Sequence, residues 1–231
     1  MAIRRRVRRR RSLRVLVADT QTITRHALRC WLHYVNGLNV IGEVSDGLKV
    51  ASVVARLRPN VVIVDFELTG LSALDVPLAV RRRTPQVGVV ILSQSVRDLH
   101  VIQALRNGAA AFVAKQAKPK ELRLAIEKSA AGERYVSAPL SQRPLSHWMA
   151  QVQSRSSDRY ETLTLREREV LHLVSQGLSA ARIAERLNVS PRTVESHRAR
   201  IKAKLGLRNH AAMVRYAVER QMATPGRAPT E

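Results

Sequence analysis

Cysteine is almost absent from this chain of 231 residues, Cys30 being the only one. That excludes a disulfide framework and a cysteine-rich zinc site, and it fits a reducing cytoplasm. Aromatic residues are also scarce, with two Trp, four Tyr and two Phe, and none is interleaved with the basic runs. Binding to single-stranded nucleic acid by base stacking is therefore disfavoured. No apolar run approaches the ~18 residues that a membrane-spanning helix needs, so no membrane segment is expected. The arginine-rich start leads into a short strand-like LRVLVAD rather than a secretory apolar core. Acidic residues are too few to balance the basic ones, 18 against 40, which leaves a formal charge of +22.

Such an excess favours a polyanionic partner and salt-dependent binding. Eight of the first fourteen residues are Arg. Residues 1–12 read as a basic tail, either an arm that reaches DNA phosphates or a passive extension. The length suits two modest domains, and two kinds of pattern divide the chain.

Residues 164–207 read TLREREVLHLVSQGLSAARIAERLNVSPRTVESHRARIKAKLGL, with the helix starts written out. Thr164 with Glu167 three residues on forms a capping box, and Val170, Leu171 and Val174 follow at helical spacing. Gly177 stops that helix and Ser179 caps the next, whose buried stripe is Ile183, Ala184 and Leu187. Ser190-Pro191 opens a third, a hydroxyl cap followed by the residue whose missing N–H costs nothing at the first helical position. On this third helix Val194, Ile201 and Leu205 share one face, bordered by His197 and Arg198. The opposite face mixes charges with small side chains, as a helix entering the major groove requires. Ser196 and Ala199 permit close approach, Glu195 can accept from cytosine N4, and Arg192, Arg200, Lys202 and Lys204 can pair with phosphates. His197 fits a packed core histidine as well as a phosphate contact.

These motifs, T-x-R-E-x-E-V-L, G-L-S-x-x-x-I-A-E-R-L, S-x-R-T-V-E-x-H and K-L-G-L, resemble the DNA-binding domain of the LuxR/NarL/FixJ regulators. The resemblance implies a four-helix unit that binds double-stranded DNA. It places base contacts on Glu195, Ser196 and Ala199, with Thr193 among the DNA-facing positions, and a fourth helix at about residues 209–221 for dimerisation. Ala212, Met213, Tyr216 and Ala217 of that helix serve equally well as simple core.

From residue 13 to residue 135, five short apolar runs (LRVLVA, LNVIGEV, NVVIVDF, VGVVIL and AAFVA) alternate with helix-like segments. The pattern predicts an α/β fold, a doubly wound parallel five-stranded sheet, ahead of the all-α helix-turn-helix domain. In such sheets binding residues sit at the carboxyl ends of strands. Asp19, Asp65, Ser93 and Lys115 all fall there and are expected to converge on one crevice. A carboxylate beside a hydroxyl and a lysine is a workable phosphoryl site. Asp65 would be the nucleophile, Lys115 would offset its charge, Ser93 would hydrogen-bond a phosphoryl oxygen and Asp19 would help hold Mg²⁺.

This segment resembles the receiver domain of two-component response regulators. The resemblance implies phosphorylation of Asp65 by a sensor histidine kinase, a switch formed by Ser93, Lys115 and the aromatic Phe112, and Mg²⁺ held by Asp19, Asp65 and the backbone carbonyl of Glu67. It also implies a homodimer in the active state, and a regulator rather than an enzyme. Two departures stand out. The second acidic position after the first strand is Thr20, a neutral and weaker ligand, so Mg²⁺ binding and phosphorylation are expected to weaken. The proline usual four residues after the accepting aspartate is Thr69. Thr20 therefore keeps open a regulator that binds DNA without phosphorylation. A flavodoxin-like redox protein, with Thr20, Thr22 and Thr24 cradling a phosphate, is disfavoured by the absence of glycine in that loop and by the few aromatics.

The expected organisation is a basic tail at 1–12, a receiver at 13–136, a linker at 137–159 rich in Ser, Pro and Gln, a helix-turn-helix domain at 160–222 and a disordered tail at 223–231. Trp148 and Met149 could anchor the linker or form a short helix. His26, His33, His100 and His147 lack ligand spacing, and no serine, histidine and aspartate set suggests hydrolysis.

Overall fold

The computed structural model describes residues 12–94, 97–137, 144–153 and 158–220. The basic N-terminal tail and the C-terminal tail lie outside them. The strands β1 (Leu13–Ala18), β2 (Leu38–Val44), β3 (Val61–Asp65), β4 (Gly88–Ser93) and β5 (Ala111–Ala114) follow the five apolar runs. The expected five-stranded sheet has one strand more. A two-residue β6 (Tyr135–Val136) pairs parallel to the edge of β5, giving the order β2-β1-β3-β4-β5-β6. The two residues are too short to stand out as a run, and pairing of Tyr135 N–H with Ala110 O (2.9 Å) begins the strand.

Alternation along the strands sorts the core onto two faces. Val15 and Val17 of β1 and Ile63 of β3 pack with Leu32 of α1 (Thr22–Tyr34) and with Leu122, Ala125 and Ile126 of α5 (Pro119–Ala130). Leu16, Ala18, Val62 and Val64 face the other way, onto Val50 and Val54 of α2 (Gly47–Leu57) and Val76 and Val80 of α3 (Val76–Arg81). The order reverses between β1 and β3, and the crevice outside their carboxyl ends carries Asp19 and Asp65.

A third cluster closes the far end. Val101, Ala104 and Leu105 of α4 (Asp98–Arg106) surround Phe112, and onto them packs Trp148 from a helix α6 (Leu145–Gln153). Residues 145–153 of the expected linker are therefore helical, and Trp148, 1% exposed, is what holds them. Arg106 grips the end of this helix through the carbonyls of Val152 (3.2 Å) and Gln151 (2.8 Å). Free carbonyls at a helix C-terminus are natural acceptors for a guanidinium.

After a 3₁₀ turn at Arg159–Thr162 come four helices: α7 (Leu165–Ser175), α8 (Ala180–Leu187), α9 (Pro191–Leu205) and α10 (His210–Glu219). The first three starts obey the predicted caps, and Asn209 adds a fourth. Thr164 and Glu167 form both halves of the capping box. Ser179 accepts from Arg182 N–H, Ser190 from Thr193 N–H and Asn209 from Ala212 N–H. Among the described residues no helix is long and apolar enough to cross a membrane.

Candidate functional site

The four residues singled out at strand ends converge as predicted. Asp65 closes β3, with Oδ1 accepting from Glu67 N–H (2.7 Å) and Oδ2 paired to the Lys115 ammonium. Lys115 follows β5 and its N–H bonds Ser93 O (2.7 Å), so the ends of β4 and β5 are tied beside the carboxylate. Ser93 is fully buried. Asp19 Oδ1 accepts from Gln21 N–H (2.6 Å), while its Oδ2 is buried with no hydrogen-bond partner. Burial, and then the charge of Asp65, push the Asp19 carboxyl up to about 6, with Lys115 pulling the other way. Two carboxylates thus share one ammonium, which leaves the pocket short of positive charge.

The departures from the usual pattern have visible consequences. Thr20 Oγ1 accepts from Thr69 N–H (3.1 Å) and lies 3.4 Å from Thr69 Oγ1, so the two unusual residues bond each other across the pocket rim. Thr69 O in turn accepts from Gly47 N–H (2.7 Å). The Glu67 side chain is exposed to solvent. Among the described residues no group of three or more His, Cys, Asp or Glu is placed to hold a metal, so the acidic donors are the two aspartates. The unpartnered Asp19 oxygen facing Asp65 still fits one hard cation that keeps most of its own water. Phe112 is fully buried against Val101 and Trp148 rather than turned outward.

On α9 the buried stripe is Val194, Ile201 and Leu205. Arg192, Glu195, Ser196, Ala199 and Arg200 are exposed on the other side. Glu195 is paired within the helix to Arg198 (2.9 Å), which also reaches Leu178 O. Thr193 belongs to the N-terminal cap, its N–H bonded to Ser190 Oγ (3.1 Å). His197 is half-buried, and burial followed by the charges of Arg166 and Arg200 pulls its pKa down. Lys202 is half-buried. Lys204 is exposed, and its ammonium turns back to Glu167 of the capping box (2.7 Å) and to Thr162 O (3.1 Å).

Two independent family models match these two regions. That of the response regulator receiver domain covers residues 15–127, and that of the bacterial regulatory proteins of the luxR family covers residues 161–217. The chain belongs to the LuxR-type response regulators. A relative along nearly the whole length is the oxygen regulatory protein NreC of Staphylococcus aureus (strain bovine RF122 / ET3-1), 29% identical over 214 residues that cover 91% of this chain and 99% of that protein. The fold is shared with a LuxR-family two-component response regulator from Aurantimonas sp. SI85-9A1, with a TM-score of 0.56 at 23% identity over 60% of this chain and 99% of that one. It is shared as well with RcsB from Salmonella enterica serovar Typhimurium bound to promoter rprA, with a TM-score of 0.56 at 22% identity over 89% of this chain and 98% of that one. As a LuxR-type response regulator, the chain is a DNA-binding transcription regulator of a two-component system, and receiver domains generally bind Mg²⁺ at the phosphorylation site.

One buried polar cluster in this response regulator is not legible in the sequence. Asp75, with 0% exposure, receives the hydroxyl of Tyr160, the guanidinium of Arg168 (2.7 Å) and the amide of Asn107 (3.1 Å). Its partners lie up to 93 residues away in sequence, and nothing in the local pattern distinguishes Asp75 from a solvated acid.

Proposed function

We propose that this regulator takes a phosphoryl group on Asp65 from a sensor histidine kinase in the cytoplasm, and that the phosphorylated chain dimerises to bind double-stranded DNA. The observation that carries this is the Asp65 carboxylate held against the Lys115 ammonium at the strand ends, beside the unpartnered Asp19 oxygen. An Asp65 oxygen forms the new P–O bond as the donor's P–N bond breaks and its nitrogen keeps the electron pair. Lys115 offsets the charge gathering on the phosphoryl oxygens, and Ser93 hydrogen-bonds one of them. Mg²⁺, held by Asp19, Asp65 and the Glu67 carbonyl, would supply further charge neutralisation, weakened by Thr20. Phe112 would respond to Ser93 through the cluster that contains Trp148.

On the DNA side, Glu195, Ser196 and Ala199 would read base edges from the exposed face of α9. Arg192, Arg200 and Lys202, with Thr193, His197 and Lys204 at the edges of that face, would meet phosphates. The division of the chain supporting this is a receiver at 13–136, a linker at 137–159 and a DNA-binding domain at 160–222. The chain acts on this reading as a regulator rather than an enzyme.

Mass measurement of the intact protein with Mg²⁺ and a small phosphodonor, beside Asp65→Asn, tests the proposal. One added phosphoryl group in the wild type alone is expected. The absence of any uptake, with a histidine kinase also tried as donor and DNA binding intact, refutes it and favours control without phosphate. The bond that commits Thr20 Oγ1 to Thr69 N–H is what supports that second reading.

A further inference from the structure

The seam between the receiver and the DNA-binding helices is built round Asp75. Besides receiving Tyr160, Arg168 and Asn107, this carboxylate is ringed by groups that are themselves satisfied. Arg168 also donates to Leu163 O (3.2 Å) and approaches Asn107 Oδ1 (3.4 Å), and its guanidinium lies over the Tyr160 ring, 4.7 Å from the centroid. Arg220 covers the same ring at 4.5 Å. Two flanking ion pairs, Arg106 with Glu161 (2.6 Å) and Arg186 with Asp46 (2.7 Å), bracket the cluster. Leu165 packs into the receiver core and Leu48 into the core of the helices. A seam of this kind tolerates little sliding, because any other register buries Asp75 or Arg168 without its partner.

The seam uses one side of the DNA-binding domain only. Leu165, Arg168 and His172 fall at spacings of three and four along α7 and make the stripe turned to the receiver. The helix α9 packs by Val194, Ile201 and Leu205 onto the core that holds Val170, Leu171 and Val174 of the same α7. The first helix of the domain thus stands between the receiver and the recognition helix. With the domains docked, Arg192, Glu195, Ser196, Ala199 and Arg200 remain exposed.

We infer that the docked arrangement is itself the form that engages DNA, and that Asp75 is a positioning residue that fixes the recognition helix relative to the receiver. The receiver is then not a cover to be removed. In a dimer paired through the receivers, the rigid seam sets the separation of the two recognition helices, and so the half-site spacing that is bound. This rests on the DNA-binding reading above.

The test starts from the duplex that the wild-type full chain selects out of a random-sequence pool. In a Cys30→Ser background, Arg83→Cys and Glu169→Cys place one thiol on the receiver and one on the DNA-binding domain, at a cleft that both residues line. A short bis-maleimide is expected to bridge them, and the bridged protein to bind the duplex within about threefold of the unbridged protein. Asp75→Asn, which keeps hydrogen-bonding capacity but removes the charge, is expected to leave affinity for a single half-site unchanged and to flatten the loss seen when half a helical turn is inserted between half-sites.

A bridge that forms and weakens binding by about tenfold or more overturns the inference. So does a bridge that does not form, or a spacing dependence that Asp75→Asn leaves intact. If no duplex is selected at all, the DNA-binding reading fails first and carries the inference with it.

Discussion

Removing the Arg168 guanidinium is the sharpest perturbation of the seam. In Arg168→Met the Asp75 carboxylate, at 0% exposure, keeps Tyr160 and Asn107 as donors but loses its ion-pair partner among the described residues. Stranding one member of a buried ion pair costs about 3–5 kcal/mol. The protein has a way to limit that loss, because Asp75 belongs to the receiver and Arg168 to the other domain. Undocking returns the carboxylate to water while both domains keep their own cores. The loss is therefore capped by the docking free energy and should appear as domain separation. A shift of 3 kcal/mol lowers the docked-to-undocked ratio by about two orders of magnitude. Small-angle scattering is expected to show a larger radius of gyration for Arg168→Met, with unchanged secondary structure by circular dichroism. The neutral pair Asp75→Asn with Arg168→Met should recover part of the loss, with a coupling energy of at least ~1 kcal/mol. Scattering that is identical for wild type and Arg168→Met, together with additive single effects, would refute the reasoning.

The remaining expectations concern the interior. Burial, then the charges of Arg97 and Arg220, bring His100 down to about 4, and burial, then Arg186, brings His172 to about 4 against the pull of Asp46. Both are neutral when folded and take up protons on unfolding, so their contribution is whole above pH 6.5 and is lost as pH falls towards 4, about 3 kcal/mol for each. Asp19, raised to about 6, has the opposite sign and gains stability on acidification, which offsets roughly one of the two histidines. The net expectation is a urea midpoint that declines between pH 6.5 and 4.5, and a flat profile would sink it. Trp148→Ala is expected to cost ~3–5 kcal/mol as measured by thermal melting, because the indole is 1% exposed and nothing else anchors α6 so deeply, and a loss below ~1 kcal/mol would contradict that. Gly47→Ala brings a Cβ to 2.6 Å from Leu71 O and 2.9 Å from Thr69 O. Those are backbone atoms that cannot swing aside, so a loss of ~1–3 kcal/mol in denaturant is expected, and a neutral result would show that the turn yields.

Most of the receiver was legible because its signals are local. The run LRVLVA is β1, residue for residue, and alternation along it decides which face Leu16 and Val17 occupy. The helix caps were equally readable, since Thr164, Ser179 and Ser190 each bond an N–H within three residues. The convergence of Asp19, Asp65, Ser93 and Lys115 followed from topology, as parallel strands put all their carboxyl ends on one edge. What escaped was whatever depends on a distant partner. β6 is two residues that become a strand by pairing with β5, and the Tyr135 hydroxyl donates to Glu121 of α5 (2.7 Å). α6 was open in the sequence as an anchor or a short helix, and what decides it is again distant, Trp148 meeting Phe112 and Val101. Lys204, expected at phosphate, also reaches Glu167, 37 residues earlier, a contact that no local pattern announces. Asp75 is the extreme case, an acid two of whose partners, Tyr160 and Arg168, lie in the other domain.

The strand-end pocket of Asp19 and Asp65 and the seam meet at one turn, between β2 and α2. Thr20 Oγ1 holds Thr69 N–H, Thr69 O holds Gly47 N–H, and the residue before it, Asp46, caps α2 through Leu48 N–H (3.0 Å) while pairing with Arg186 of the DNA-binding domain. The turn has no slack. A Cβ on Gly70 would fall 2.0 Å from Asp46 Oδ1, and at φ +89° the backbone there already favours glycine. A neutral hydroxyl at position 20 therefore has two consequences of opposite kind. It leaves the pocket with two aspartates and no third carboxylate at that position, and it ties the loop after Asp65 to the turn that carries the partner of Arg186. Any movement of Thr69 on phosphoryl uptake must either drag Gly47 along or break a 2.7 Å hydrogen bond. Asp75, ten residues beyond Asp65 and continuous with that same loop, would feel the displacement at the other end. Both anchors of the seam thus lie on segments that frame the pocket, which is the physical requirement for the two sites to influence one another.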